Sequence, residues 1–456
     1  MSSTATGSPR IHLVGVGGAG MSGIARILLQ RGGEVTGSDL RDGRALDELR
    51  MLGARIDIGH DEAHVQGADI VVMSTAVPPD NREIAAARAA GQLVLRRAEM
   101  LARLMEDQTA VLISGTHGKT TTTSMTVVAL QAAGRDPSFA IGGSLNESGT
   151  NAHAGGDPLF IAEADESDRS FLVYRPDIAV VTNLEHDHPD EFRDLDAVMQ
   201  AFRGFTERRA IGAPTLLCAD DAGARALAEI IAEPVVLFGT DARADIRTLV
   251  GDDGHHVLRR GGEDIASFSL AVPGRHNVLN ATAALATCVL LDVDPAEAAP
   301  GLKRFRGAAR RFQRLGEAAG VVVVDDYAHH PTELRATLAA ARGSTTGRIV
   351  LVVQPHRYSR TQVFGEELGR AAAAADVVVV TDVYGSGESP IPGISGRTVA
   401  AAATAAGANA HDVPHLADVV DTLVGLVGPG DLVLTTGAGD VTQVGPALLQ
   451  RLGGGG

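Results

Sequence analysis

The sequence predicts an α/β fold of three domains, each built on a mainly parallel sheet. Three observations carry this. Continuous apolar strands, such as Val321-Val322-Val323-Val324 and Val377-Val378-Val379-Val380, alternate with Ala-rich helical stretches, the pattern of strands covered on both faces. One glycine-rich turn follows a strand at Gly15, and a second follows a strand at Gly115. The 456-residue length fits about three domains at roughly 150 residues each.

Composition narrows the class. Hydrophobic residues make up 45% of the chain, enough for real cores and too many for disorder as the main state. Aromatic residues are only 3% and Trp is absent, so the cores must be aliphatic. The formal net charge of −16 speaks against nucleic acid or an anionic membrane as the main partner. Any anionic ligand must therefore be held by local donors. Lys119 and Lys303 are the only lysines, and Arg supplies the other positive charge, which makes the lysine at 119 conspicuous. Cys218 and Cys288 lie far apart without metal-ligand spacing and read as core residues of a protein in a reducing cytoplasm. No stretch reaches the length of a membrane span, and residues 1–10 are polar, unlike a signal peptide.

The first domain is read as residues 1–104. Residues 1–9 read as a disordered tail. The strand Ile11-His12-Leu13-Val14 runs into Gly15-Val16-Gly17-Gly18-Ala19-Gly20, and a helix follows over residues 21–31. A second strand ends at Gly37-Ser38-Asp39, with Asp39 about 20 residues past the glycines, where Rossmann-like domains read a ribose hydroxyl. A third strand, Asp69-Ile70-Val71-Val72-Met73, ends in Ser74-Thr75 and should open on the same crevice. Alone, this turn points to a dinucleotide dehydrogenase, but many such domains bind other nucleotides.

The second domain is read as residues 105–312. The strand Ala110-Val111-Leu112-Ile113-Ser114 meets Gly115-Thr116-His117-Gly118-Lys119-Thr120-Thr121, and residues 120–133 read as a helix. Backbone N–H groups at the positive end of a helix, the charge of Lys119 and the hydroxyl of Thr120 together suit a triphosphate with Mg²⁺. The loop is a shortened P-loop: Ile113 stands where the full pattern has its first glycine, and Gly115 takes that part. Two later strands end in polar clusters, Glu163-Ala164-Asp165-Glu166-Ser167-Asp168 and Thr182-Asn183-Leu184-Glu185-His186-Asp187-His188. One such cluster alone reads equally well as a solvated loop. Two of them after a P-loop favour a Mg²⁺ site beside a phosphate. Alternation over residues 256–270 predicts a small antiparallel piece. Near Gly274-Arg275-His276-Asn277, His276 and Asn277 either hydrogen-bond a base or cap the helix that opens there.

The third domain is read as residues 313–456, again Rossmann-like. Its strands end in Asp325-Asp326-Tyr327-Ala328-His329-His330-Pro331, in Gln354-Pro355-His356-Arg357-Tyr358-Ser359-Arg360-Thr361, in Thr381-Asp382-Val383-Tyr384, and in Thr435-Thr436-Gly437-Ala438-Gly439-Asp440. Polar residues at the carboxyl ends of parallel strands are where such sheets bind ligands. The C-terminal glycines read as a tail. Three ligand sites exceed what a nucleotide hydrolase needs. They match a ligase, which must hold ATP, an acid to activate and a nucleophile.

These motifs, in this order and over nearly the whole chain, resemble the Mur ligases of peptidoglycan synthesis. The resemblance rests on the glycine turn at 15–23, the loop at 115–121, the clusters at 163–168 and 183–188, and the stretches at 274–277, 325–333 and 354–361. It implies that ATP phosphorylates the carboxylate of UDP-N-acetylmuramate and that the L-alanine amine attacks the acyl phosphate, with Mg²⁺ as the cofactor. It implies catalytic roles for Lys119, Glu163 and His188, with Thr120, Glu163 and His188 as metal ligands. The nucleotide would be held by Gly115, Thr116, His117, Gly118, Lys119, Thr120 and Thr121, with His276 and Asn277 near the adenine. The UDP-sugar would meet Gly15, Gly17, Gly18, Gly20, Ser38, Asp39 and Thr75. The amino acid would meet Tyr327, His329, Arg357 and Arg360, an Arg taking its carboxylate. His186 is expected to be a bystander. Arg310 and Arg311 are expected to form an interdomain cluster, with a substrate role left open.

Several Mur ligases place a carbamylated lysine in the central domain. No lysine occurs between Lys119 and Lys303, which agrees with the alanine-adding branch. Three other readings stand beside this one. A related ligase that attaches a recycled peptide to the same sugar nucleotide would share the ATP site. An NAD-dependent oxidoreductase leaves the P-loop unexplained, and a regulatory module leaves the third-domain Arg and His residues unexplained. The expected setting is cytoplasmic, with a monomer or homodimer and neither nucleic acid nor membrane as a partner.

Overall fold

The computed structural model describes residues 9–146 and 149–454. The tail expected at residues 1–9 lies, apart from Pro9, outside the described residues. Of the C-terminal glycines, Gly453 ends a helix, Val444–Gly453, and only Gly455 and Gly456 lie outside.

Three sheets form in chain order. The first has five parallel strands, ordered Arg55–Ile58, Glu34–Asp39, Arg10–Val14, Ile70–Met73, Leu93–Arg96. The order reverses at Arg10–Val14, so the glycine turn leaves the sheet at its switch point. Val14 pairs with Ser38 on one side and Met73 on the other, which sets the ends of both neighbours beside the turn. The strand at Ile70–Met73, expected to be third in sequence, is fourth. Arg55–Ile58 intervenes as an edge strand whose side chains are all partly or fully exposed, so it lacks the apolar run that marks the others. Behind this sheet lies a polar knot. Glu83, fully buried, accepts from Ser38 Oγ at 2.6 Å and contacts His64 Nδ1 at 2.6 Å and His60 Nδ1 at 3.0 Å.

The second sheet has ten strands, and Thr109–Ser114 sits inside it between Leu159–Glu163 and Ile178–Val181, parallel to both. The expected antiparallel piece is present: His256–Arg260 pairs with Ile246–Val250 and with Glu263–Phe268 and extends the sheet. The helix Lys119–Ala132 buries Thr120, Thr121, Thr122 and Thr123 in succession. Hydroxyl groups in such a setting need partners, and Thr123 and Thr126 donate to carbonyls one turn back, Lys119 O and Thr122 O, at 2.8 Å each.

The third sheet runs Gln313–Ala318, Val321–Asp326, Leu432–Thr436, Ile349–Val353, Val377–Val380, Ala410–Asp412, parallel except for the first pair. Its all-apolar strands feed two cores by alternation. Ile349, Leu351 and Val353 enter one, while Val350 and Val352 enter the other. Cys218 and Cys288 are free and buried, as expected of core residues. Among the described residues no helix is long and apolar enough to cross a membrane.

Candidate active site

The loop at 115–118 joins the strand Thr109–Ser114 to the helix Lys119–Ala132. Gly115 has φ 137° and Gly118 has φ 81°. A side chain at Gly115 would collide with Thr182, and a Cβ at Gly118 would stand 2.7 Å from Asn280 Oδ1. The neighbouring strand end pins the loop. Asn183 O accepts from Thr116 N at 3.1 Å, Asn183 Oδ1 accepts from His117 N at 2.8 Å, and Thr182 Oγ1 donates to His117 O at 2.6 Å.

Lys119 opens the helix, one residue before the start read from the sequence, with its side chain only 12% exposed. Its ammonium donates to Gly115 O at 2.8 Å and to Glu166 Oε1 at 2.9 Å. Burial opposes its charge, but Glu166, Asp165 and Glu163 override it and raise the pKa. Burial pushes Glu166 up to about 7, with Lys119 opposing the rise and Asp165 adding to it.

Thr120 Oγ1 lies 3.0 Å from both oxygens of Glu163, and Gly142 N donates to Glu163 Oε2 at 2.8 Å. A hydroxyl and a carboxylate are hard oxygen donors that suit Mg²⁺. His188 Nε2 lies 3.9 Å from Glu166 Oε1 and 3.7 Å from Asp187 Oδ2. Burial, with Arg360 and Lys119 adding to it against Asp187, lowers the His188 pKa to about 4, so the ring is neutral. Its Nδ1 lies 3.3 Å from Arg360 Nη2 and accepts there, which leaves the ring proton on Nε2. Ligation through Nε2 therefore requires the other tautomer.

A cleft between the second and third sheets is lined by His117, Asn183, His276, Asn277, Arg311 and Glu333, among others. Asn277 Nδ2 donates to Pro273 O at 2.6 Å, and Gly274 takes the N-cap position without a side-chain bond, so Asn277 braces the chain entering the helix. Burial lowers the His276 pKa to about 4, leaving it neutral in the cleft. Asn280, absent from the residues expected at the site, accepts from Thr122 Oγ1 at 3.1 Å and faces Gly118. Its spacing of three from Asn277 puts both on one helix face and is the sequence signal for it.

In the first domain, Gly15 bends the chain at φ 77° and Gly17 N donates to Asp39 Oδ2 at 2.8 Å. Gly18, Gly20 and Thr75 are exposed, and Thr75 follows the strand that pairs with the one leading into the turn. Ser38 departs from expectation. It is fully buried and its hydroxyl donates to Glu83 on the helix Arg82–Ala89 behind the sheet, so only its carbonyl meets the turn, accepting from Gly15 N and Val16 N.

In the third domain, Tyr327 is flanked by the guanidinium groups of Arg310 and Arg311 at 5.0 and 5.1 Å and meets His329 edge-on at 5.3 Å. Arg357 pairs with Asp190 of the central domain and keeps its side chain 32% exposed. Arg360 is only 4% exposed, and its Nε donates to Asp187 Oδ1 at 2.8 Å. Arg360 thus joins the domains rather than standing open. Arg310 is held inside the third domain by Asp325 and Gly437 O, whereas Arg311 faces the cleft. His186 lies 2.9 Å from Phe192 O through Nε2 and packs on Phe364.

Ligand atoms of His117, Glu185 and His330 cluster within 4.8 Å of one another. His330 Nδ1 already caps the helix Pro331–Ser344, accepting from Thr332 N at 3.3 Å, and a hydrogen bond joins His117 to Glu185.

Three descriptions of one family match this chain: "Mur ligase family, catalytic domain" over residues 10–109, "Mur ligase middle domain" over 113–288, and "Mur ligase, glutamate ligase domain" over 310–439. It is 49% identical over 452 residues to a UDP-N-acetylmuramate–L-alanine ligase of Acidothermus cellulolyticus, covering 97% of this chain and 95% of that one. It is 47% identical over 462 residues to the same-named enzyme of Mycobacterium sp. (strain JLS), with the same two coverages. The crystal structure of a UDP-N-acetylmuramate–alanine ligase from Thermotoga maritima superposes with a TM-score of 0.79 at 28% identity, covering 97% of this chain and 99% of that one. A murein peptide ligase from Psychrobacter arcticus shares the fold at TM-score 0.72 and 23% identity, covering 98% and 99%.

Proposed function

This chain belongs to the Mur ligase family, and we infer that it joins L-alanine to the carboxylate of UDP-N-acetylmuramate with cleavage of ATP to ADP and phosphate. The observation that carries this is the 49% identity to an L-alanine ligase across 97% of the chain. We place the domain boundaries at 1–104, 105–312 and 313–456.

The chemistry divides among the three domains. A carboxylate oxygen of the muramyl group attacks the γ-phosphorus of ATP, and the bond to the β-bridging oxygen breaks, giving the acyl phosphate and ADP. The alanine amine then adds to the acyl carbon, loses its proton, and phosphate leaves. Two anions must meet in the first step, so cancelling charge is the main task. Lys119 and the amides of the 115–118 loop serve the β- and γ-phosphates, for which Lys119 must exchange Glu166 for phosphate oxygens. Thr120 and Glu163 would hold Mg²⁺, with His188 nearby, and bound Mg²⁺ supplies further charge neutralisation. His276 and Asn277 line the adenine end. The first glycine turn, with Asp39 bracing it, takes the diphosphate of the UDP-sugar.

Tyr327, His329 and Arg357 surround the amino acid. Arg357 is the arginine accessible to its carboxylate, and Arg360 holds Asp187 and His188 in place. The two buried free thiols fit a cytoplasmic setting.

Phosphate release from ATP that requires both UDP-N-acetylmuramate and L-alanine tests the reading. Release supported by a peptide and not by alanine would move the assignment to the peptide-recycling relative. Release without any acceptor would reduce it to a hydrolase.

A further inference from the structure

His117 sits in the middle of the nucleotide loop, yet its ring faces two carboxylates from different domains. Nε2 lies 2.5 Å from Glu185 Oε1, and Nδ1 lies 3.3 Å from Glu333 Oε1. Glu185 follows the central strand Ile178–Val181, while Glu333 is in the first turn of the third-domain helix Pro331–Ser344. An imidazole that faces an anion through each nitrogen is satisfied only when both nitrogens carry protons. Burial opposes that charge, but Glu333 and Glu185 outweigh it and raise the ring's pKa to about 10.

The contact is reciprocal. Thr332, on the third-domain helix, donates from Oγ1 to Glu185 Oε2 at 3.0 Å. Arg311 stands 3.6 Å from Glu333 Oε1, and the ring of His330 lies 4.8 Å from that of His117. His276 lines the same cleft. The other oxygen of Glu333 accepts from His329 N at 3.1 Å. A continuous run of hydrogen bonds and ion pairs thus leads from the nucleotide loop to the backbone of a residue assigned to the amino acid. Without His117, Glu185 and Glu333 would share one partly buried space as like charges, which opposes closure.

We propose that His117 is a positioning residue: its ring, shared by Glu185 and Glu333, clasps the third domain against the nucleotide loop and so sets where the alanine amine meets the acyl phosphate. The inference deepens the ligase reading and rests on it. It separates His117 from the residues that hold ATP itself, because its work is done through the third domain.

The test is steady-state phosphate release with the full-length protein, varying ATP and L-alanine separately, together with direct ATP binding. His117→Gln, which keeps one donor and cannot bridge two acceptors, is expected to lower kcat at least about tenfold and raise the KM for alanine, with the Kd for ATP within about threefold of the parent. Thr332→Val alters an exposed residue without removing the helix cap, so it stays folded if the first variant does not. It should move kcat and the alanine KM in the same direction by less. The double variant should lose less than the product of the two single losses, because both act on one junction. ATP affinity falling as far as kcat would make His117 a direct nucleotide ligand and overturn the clasp. So would parent-like kcat and alanine KM in either variant, or losses that multiply independently. A parent protein that releases no phosphate with both acceptors present overturns the ligase reading first, and the clasp with it.

Discussion

The two glycine turns look alike in outline and differ in what holds them. The turn at 15–20 is anchored within its own domain, by Asp39 at the end of the adjacent strand accepting from Gly17 N. No lysine follows it. The loop at 115–118 is anchored by Asn183 and Thr182 from a strand more than 60 residues on, and it faces an acid cluster across Lys119 and the third domain across His117. Glycines shape the backbone in both places, and the side chains supplied by the neighbouring strands make the two surroundings different.

Replacing Lys119 should break the comparison hardest. Lys119→Ala is expected to lower ligase turnover by about 10³-fold or more, roughly 4 kcal/mol of barrier, measured below a melting temperature that itself falls because the buried Glu166 loses its partner. Turnover within about tenfold of the parent would leave the two turns equivalent.

Glu83 tests what supports the first turn. Burial would raise its pKa, but the His12, Ser38 and His64 side chains outweigh burial and hold it at about 2, against 4.5 for an ordinary glutamate. The folded pKa is the lower one, so the stabilisation is present above pH 4.5 and is lost as pH falls through about 2. It amounts to about 3 kcal/mol. Denaturant unfolding of Glu83→Gln should show that deficit at neutral pH and a shrinking one below pH 4.5. An unchanged deficit at pH 3 would mean the charge is not what stabilises the sheet.

The anchors themselves form a matched pair. Asn183→Ala leaves His117 N–H without its acceptor, and the KM for ATP should rise by roughly tenfold, with the KM for UDP-N-acetylmuramate unmoved. Asp39→Ala should do the converse, raising the KM for the UDP-sugar roughly fivefold and sparing ATP. Isothermal titration of the parent with NAD and NADP should show no binding. Crossed effects, or tight dinucleotide binding, would dissolve the distinction between the turns.

Much of this was legible without coordinates because it is local. Strands buried on both faces are continuous apolar runs, and a turn that needs positive φ demands glycine at fixed spacing. The edge strand Arg55–Ile58 is not legible because its charged and apolar residues do not form such a run. Ser38 is expected to meet the UDP-sugar, but near the end of its strand its side chain alternates to the other face and meets Glu83.

Residue types and short spacings are enough to define the three α/β domains, the two glycine turns and the acidic strand ends. Tertiary structure alone decided which of those ends meet. Thr109–Ser114 lies between Leu159–Glu163 and Ile178–Val181, so Glu166 reaches Lys119 and Asn183 reaches the loop. The third domain then brings Arg360 to Asp187 and Glu333 to His117, pairs separated by more than 150 residues. Sheet order and domain docking depend on packing and charge pairing between distant segments, and no spacing within one segment encodes them.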